Sequence, residues 1–213
     1  MDYSQVFIAT LFANIGTHTN IELSEDLLRH MFLMSLKHNR KKFNNEYGEL
    51  VICCDGKDSW RKQAFPYYKA NRKTSRDKSD MDWNEVFRIM GIIREELKEN
   101  FPYKVIQVDH CEADDIIGVL CHKYGTTLDT GTERILILSG DKDFIQLHKY
   151  ANVDQYNPAL KKKVHHNSPE DYIVEHVFKG DASDGVPNIL SPDNCLVIGE
   201  RQKPMTAKKI NMY

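Results

Sequence analysis

Acidic side chains recur in this sequence in patterns that can hold divalent cations. Asp55 closes the apolar run ELVICC, and Glu112, Asp114 and Asp115 stand together in CEADD. Asp141 and Asp143 follow the apolar run RILILS in SGDKDF, while Asp181 and Asp184 lie in GDASDGVPNI, residues 180–189. Gathered carboxylates repel one another, and burying them unpaired is costly. Divalent cations resolve that conflict, and a donor set of oxygens alone suits Mg²⁺ or Mn²⁺ rather than zinc. Two such ions about 4 Å apart can activate a water and stabilise the leaving oxygen of a phosphodiester. Taken singly, each group has an ordinary reading. Asp55-Gly56 is a turn, Asp114-Asp115 a pair favoured by a helix dipole, and Asp141 with Asp143 a loop or a calcium-ligand pair. GDASDG alone is a loop between helices, although its backbone groups can also bind an ion or a DNA phosphate. What favours one cleft is their joint placement after successive strands.

A second pattern lies between Asp55 and the next long helix. The segment WRKQAFPYYKANRKTSR, residues 60–76, combines Arg61, Lys62, Lys69, Arg72, Lys73 and Arg76 with Trp60, Phe65, Tyr67 and Tyr68. Cations hold phosphates and aromatic faces stack on unpaired bases, so this is a candidate nucleic-acid surface. The bland reading is a surface helix with core aromatics, which Phe65 suits. The cations should repel one another, so the segment is expected to be mobile until phosphates order it.

The elements that must position these groups alternate strand with helix. Ser24 reads as an N-cap, with Glu25 and Asp26 in the first turn of a helix carrying Leu27, Leu28, Met31, Phe32, Met34 and Leu36 and ending at Lys41-Lys42. ELVICC is a buried strand, Gly56 its turn, and Asp82 with Glu85 a capping box for a helix whose Val86, Met90, Ile93 and Leu97 share a face. KVIQV is the next strand, EADDIIGVLCHKY the next helix, RILILS a third strand and DFIQLHKY a short helix. Ser168-Pro169 starts a further helix to about Phe178, with Gly180 as its stop. The fold class expected is α/β, a mostly parallel central sheet with helices on both faces, in which ligands sit at the carboxyl ends of the strands.

Composition agrees. A chain of 213 residues with 41% hydrophobic residues can bury a normal core. The net charge of −2 conceals segregation, with eight basic residues between Lys57 and Lys78 and four acids between Asp109 and Asp115. Cysteines at 53, 54, 111, 121 and 195 make no C-x-x-C pair, which argues against a thiolate zinc site and fits a reducing, cytoplasmic setting. No apolar run suggests a membrane span and no signal-peptide pattern opens the chain.

The strings MDYSQ, VICCDG, WRKQAFPYYKANRK, CEADD, SGDKDFIQLHKY and KGDASDGVPNI occur in the order found in the flap endonuclease or 5′-nuclease superfamily, which this chain resembles. The likeness is strongest to its phage ribonuclease H branch. It implies a PIN-like 5′-nuclease fold with a catalytic domain over 1–178 and an incomplete helix–three-turn–helix DNA-binding region over 179–213. It also implies a two-metal site. Asp2, Asp55, Glu112 and Asp114 would serve one Mg²⁺. Asp141, Asp143 and Asp184 would serve the other, with Asp114 or Asp115 between them, and Mn²⁺ could substitute. Lys69 and Arg72 match basic residues near the scissile phosphate, and Tyr67 or Tyr68 the position that stacks on a 5′ nucleotide. Gly185 and Val186 fall in the loop that grips duplex DNA and can hold K⁺. The implied activity is 5′→3′ exonuclease or flap endonuclease action on DNA or RNA–DNA hybrid. The chain would act as a monomer, alongside replication proteins such as a single-stranded-DNA-binding protein, in the cytoplasm of a phage-infected host.

Departures from the family pattern set further expectations. Asp2 directly follows Met1, where relatives carry an apolar strand before that Asp, and the chain stops at Tyr213 within the helical element. The sequence therefore reads as a fragment, with the first strand missing, Asp2 poorly fixed and stability reduced. Asn188 stands where many relatives have Gly. Two rivals remain. A haloacid-dehalogenase-type phosphatase would make Asp141 a nucleophile, but it leaves Asp55, EADD and the basic segment without roles. A truncated, non-catalytic DNA-binding relative would keep the fold alone.

Overall fold

A computed structural model of the chain describes residues 1–15, 24–69, 72, 76, 81–126 and 133–169, together with two-residue strands at 197–198 and 204–205. The apolar runs form parallel strands as their patterns require. β1 (Val51–Cys54) pairs parallel with β2 (Lys104–Gln107), in register Val51↔Lys104. β3 (Ile135–Leu138) pairs parallel with β4 (Val153–Asn157), which pairs antiparallel with β5 (Lys162–Val164). Met1 and Asp2 join the two halves. The Met1 ammonium donates to Val51 O at 2.8 Å, Cys53 N donates to Met1 O at 2.8 Å, and Asp2 N donates to Leu138 O at 3.1 Å. The spatial order is therefore β2, β1, Met1–Asp2, β3, β4, β5, with Asp2 bridged parallel to Cys53. The short pair β6 (Val197–Ile198) and β7 (Pro204–Met205) is antiparallel.

Alternation along the strands builds a core on each face. Ile52, Cys54 and Leu138 point to one side, against α1 (Tyr3–Ile15), α2 (Glu25–Tyr47) and α4 (Trp83–Asn100). Cys53 and Ile137 point to the other, against Ala113, Ile116, Ile117 and Cys121 of α5 (Ala113–Tyr124) and Phe144 of a 3₁₀ helix, Lys142–Lys149. Between β1 and α4 lies a short helix, α3 (Trp60–Ala64), capped by the Ser59 side chain. No helix among the described residues is long and apolar enough to cross a membrane.

Helix ends follow their capping chemistry. Ser24 Oγ accepts from Leu27 N at 3.3 Å, and Gly48, at φ 73°, closes α2 in a conformation that a β-carbon would disfavour. α2 thus runs past Lys41-Lys42, where the sequence suggested its end. Asp82 caps α4 through Asn84 N and Glu85 N, but the Glu85 carboxylate turns to Arg88 rather than completing a capping box. Gly56 is fixed by close approach: a β-carbon there would collide with the Val108 carbonyl oxygen, and its N–H donates to Cys111 O at 2.7 Å. The helix expected from Ser168 to Phe178 lies outside the described residues beyond its first positions.

The sequence reading missed α1 and every strand after β3. α1 is apolar on nearly every face, so no single helical stripe marks it, yet Tyr3, Val6, Phe7 and Leu11 are buried at helical spacing. The β4–β5 hairpin is rich in polar residues and short. The rings of Tyr3, Phe7 and Phe32 pack with centroids 4.9 to 5.9 Å apart, and Tyr3 Oη donates to Met90 O at 2.6 Å. This knot ties α1, α2 and α4 together. Phe32 is 1% exposed, whereas Met34, placed by the sequence on the same apolar run, is 51% exposed. Phe32→Ala should destabilise the chain by about 3–5 kcal/mol in urea unfolding. Met34→Ala should change it by less than about 0.5 kcal/mol.

Candidate active site

The carboxyl ends of the strands carry the acids, several of them tied into the surrounding turns and helix starts by hydrogen bonds. Asp55, just past β1, accepts from Ala113 N at 2.9 Å through Oδ1 and from Ser4 Oγ at 2.7 Å through Oδ2. It thereby ties the starts of α5 and α1 to its strand. Asp2 accepts from Gln5 N at 3.1 Å, acting as the N-cap of α1, and from Ser139 Oγ at 3.3 Å. Ser139 Oγ in turn accepts from Asp141 N at 3.2 Å, and Asp141 Oδ1 accepts from Asp143 N at 3.0 Å, capping the 3₁₀ helix. Gly140 stands in this turn, where a β-carbon would lie 2.6 Å from Asn157 Nδ2 and displace that side chain.

The expectation that Asp2 is poorly fixed is wrong. Asp2 is 5% exposed, backed by three backbone bonds of the Met1–Asp2 span and two side-chain bonds. A terminal residue frays when nothing holds it; here both neighbouring strands do. Asp2 forms an isolated parallel bridge with Cys53 rather than part of a named strand.

Electrostatics set Asp2 and Asp114 apart. Burial lifts the Asp2 carboxyl from 3.8 to about 6; the Gln5 N–H opposes the rise, and the Asp55 charge adds to it. Burial lifts Asp114 from 3.8 to about 7, and the charges of Asp2, Asp141 and Glu112 add to the rise against the pull of Lys69. These are acids short of counter-charge, and their donors are all oxygen. That chemistry fits a hard divalent cation. Among the described residues, no three acids, histidines or cysteines stand at metal-ligand spacing.

Glu112 and Asp115 are engaged by the basic segment. Lys69 Nζ and Tyr68 Oη both donate to Glu112 Oε2 at 2.9 Å. Arg61 grips Asp115 with two bonds of 2.7 and 2.8 Å, and Trp60 Nε1 adds a third at 3.2 Å. Burial opposes ionisation of Asp115, but the Arg61 bonds and the Glu112 N–H bring its pKa below the ordinary value. Arg61 and Lys69 thus fold onto acids rather than standing as uncompensated like charges, and Trp60 and Tyr68 donate to the same acids. Of the other predicted contacts, Lys62 and Arg72 are exposed and Tyr67 is 73% exposed, while the Arg76 guanidinium lies 5.3 Å from the Phe87 ring centroid. Lys73, Asp184, Gly185, Val186 and the whole 180–189 loop lie outside the described residues.

Sequence reasoning missed Ser139 and Gln155. Ser139 is fully buried and links Asp2 to Asp141; Gln155 Nε2 donates to Ser139 O at 3.0 Å and to Asp141 O at 2.6 Å. Ser139 could have been found from its place between RILIL and the acids. Gln155 sits on β4, and only the strand pairing reveals it.

The raised acids predict a pH dependence. At low pH both folded and unfolded chains hold these protons, and no penalty arises. As pH climbs through 3.8 the unfolded chain releases them first, so stability is lost between about pH 4 and pH 7 and stays lost above. In chelator at pH 8, Asp114→Asn should therefore be more stable than the parent, on the order of 2 kcal/mol after discounting for partial solvent access. The gain should vanish near pH 4. Thermal melts at the two pH values check this, and an Asn variant no more stable at pH 8 would contradict it.

This geometry has relatives. A sequence profile described as the 5′-3′ exonuclease N-terminal, resolvase-like domain matches residues 6–177. The ribonuclease H of Enterobacteria phage T4 is 38% identical over 194 residues, 89% of this chain and 62% of the relative. A 5′-3′ exonuclease of Buchnera aphidicola is 29% identical over 157 residues, 70% of this chain and 50% of the relative. The chain thus spans roughly half to three-fifths of the length of these curated relatives. In fold it is similar to a phage T5 protein co-crystallised with metal ions (TM-score 0.59, 16% identity, 87% of this chain and 68% of that one). It is also similar to the phage T5 flap endonuclease in a complex with DNA and metal ions (TM-score 0.53, 16% identity, 77% and 57%). The profile match excludes the haloacid-dehalogenase alternative. Its resolvase-like 5′-nuclease fold and its matched sequence place the chain in one family: it belongs to the 5′-3′ exonucleases, through their N-terminal resolvase-like domain.

Proposed function

We propose that this chain forms the catalytic face of a metal-dependent 5′ nuclease that hydrolyses phosphodiester bonds in DNA or RNA–DNA hybrid carrying a 5′ end or flap. The observation that carries the proposal is the row of acids at the carboxyl ends of parallel strands, with a basic, aromatic limb folded over it. Asp2, Asp55, Glu112 and Asp114 would hold one Mg²⁺, and Asp141, Asp143 and Asp184 a second, with Mn²⁺ as a substitute. Such ions, when bound, supply an ionised water and charge for the leaving oxygen. The chain's own residues do the rest. Lys69 and Arg72 bind the scissile phosphate, and exposed Tyr67 stacks on an unpaired base more readily than Tyr68, whose hydroxyl is held by Glu112. Arg61, Lys62, Lys73 and Arg76 follow the backbone, and the 180–189 loop, with Gly185 and Val186, contacts duplex phosphates beside a K⁺. The phage relative's name, ribonuclease H, supports action on the RNA strand of a hybrid. On this reading the chain removes RNA primers during phage replication, in the host cytoplasm, as a monomer working with a single-stranded-DNA-binding protein.

Cleavage of a 5′-labelled flap or primer duplex tests the proposal. Asp141→Asn keeps the side chain's shape and loses the charge that holds an ion. It should lower Mg²⁺-dependent cleavage about a hundredfold or more and leave DNA binding largely intact. Cleavage that persists in Asp141→Asn, or in chelator, overturns the reading. Lys69→Ala and Arg72→Ala should each flatten the salt dependence of DNA binding, by about 0.9 in the logarithmic slope. Unchanged slopes would show that neither touches the phosphate backbone.

A further inference from the structure

Asp115 sits one residue from Asp114 at the start of α5, yet the two acids have opposite surroundings. Both oxygens of Asp115 accept hydrogen bonds within the chain. Oδ2 accepts from Arg61 Nη1 at 2.7 Å, from Glu112 N at 2.9 Å and from Trp60 Nε1 at 3.2 Å, and Oδ1 accepts from Arg61 Nη2 at 2.8 Å. Both partners of the ion pair are largely buried, with side chains 19% and 20% exposed. A bidentate guanidinium–carboxylate pair fixes orientation as well as distance. Arg61 is held from a second side, its guanidinium 4.6 Å from the Trp60 ring centroid and 5.9 Å from that of Tyr68. Its Nη1 also lies 3.4 Å from Glu112 Oε2.

This clasp stands at the root of the basic limb. Trp60 N donates to His110 O at 2.9 Å, and His110 N donates to Lys57 O at 2.9 Å, so the backbone of 57–60 is laced to the loop before α5. Eight residues beyond Arg61, Lys69 reaches Glu112 from a backbone at φ 55°, a left-handed conformation that needs outside support in a residue with a β-carbon.

We propose that Asp115 is a positioning residue and not a metal ligand: through Arg61 and Trp60 it anchors the root of the basic limb and so aims Tyr68 and Lys69 over the acids. The inference rests on the nuclease reading above and assigns Asp115 a role different from the one the family resemblance implied. Substrate phosphate can then compete with Glu112 for Lys69, and a metal ion with Lys69 for Glu112, while the Arg61–Asp115 clasp stays closed through the cycle.

The test uses the full chain in a Trp83→Phe background, which leaves Trp60 as the sole tryptophan. Asp115→Asn, which retains an acceptor for Glu112 N, and Arg61→Gln should each shift Trp60 emission to the red and raise its quenching by acrylamide. Each should leave the number of Mn²⁺ ions bound, counted by electron paramagnetic resonance, equal to that of the parent. Each should lower kcat/KM on a 5′ flap about 10- to 100-fold, and the double variant should be no worse than the singles, because both remove one interaction. Arg61→Lys keeps the charge without the fork and should fall between parent and Arg61→Gln. Loss of a bound Mn²⁺ in Asp115→Asn but not in Arg61→Gln would overturn the assignment, as would unchanged Trp60 emission. A parent chain that binds no Mn²⁺ and cuts nothing would remove the nuclease reading, and Trp60 emission would still decide whether the clasp exists.

Discussion

The sheet is continuous because Met1 and Asp2 lie between β1 and β3. Three backbone hydrogen bonds, from Met1 N, Cys53 N and Asp2 N, join two small sheets that otherwise share no strand. The same span places a carboxylate at the centre of the carboxyl edge, caps α1 and, through Ser139, meets the turn that carries Asp141. Both core clusters depend on it, since β1 contributes Ile52 and Cys54 to one and Cys53 to the other. Ordering a residue against its conformational entropy requires several contacts, and Asp2 has them from three directions.

Gathering acids creates a second demand, for counter-charge. The fold meets it unevenly. Glu112 and Asp115 are satisfied from within by Lys69, Tyr68, Arg61 and Trp60. Asp2 and Asp114 make no ion pair among the described residues, and burial raises their pKa values, to about 6 and about 7. The division is sharpest between neighbours: Asp115 is clasped by Arg61 and Trp60, whereas burial and nearby acids raise the pKa of Asp114. An oxygen donor already accepting two or three hydrogen bonds competes poorly as a ligand, whereas an under-compensated carboxylate gains most from a metal.

Much of this was readable in the residues because the informative signals are local. ELVICC, KVIQV and RILILS are short apolar runs bounded by turn residues, and each formed a strand with its acid at the end predicted. Ser24 and Asp82 capped their helices as their types require. What was not readable depends on pairing across the chain. β4 and β5 show as strands only beside β3, so Gln155, which braces the Asp141 turn, had no signal of its own. Asp2 seemed unsupported because its supports, Leu138 and Ser139, lie more than a hundred residues away. The partition of Asp114 from Asp115 follows from where Arg61 folds back, a tertiary fact that adjacent identical residues cannot encode.

The two cysteines of β1 sit back to back. Cys53 faces α5 and its neighbours, Cys54 faces α1, α2 and α4, and burial raises the pKa of both thiols, Cys54 to about 12. Neither is a nucleophile while the fold is closed. Their alkylation is therefore a clock for breathing motions: a reagent reaches Cys53 only when the α5 layer lifts, and Cys54 only when the three-helix layer lifts. Adjacent residues on one strand thus report separately on the opening of opposite faces, and comparing their rates distinguishes piecemeal loosening of one layer from cooperative rupture of the whole domain.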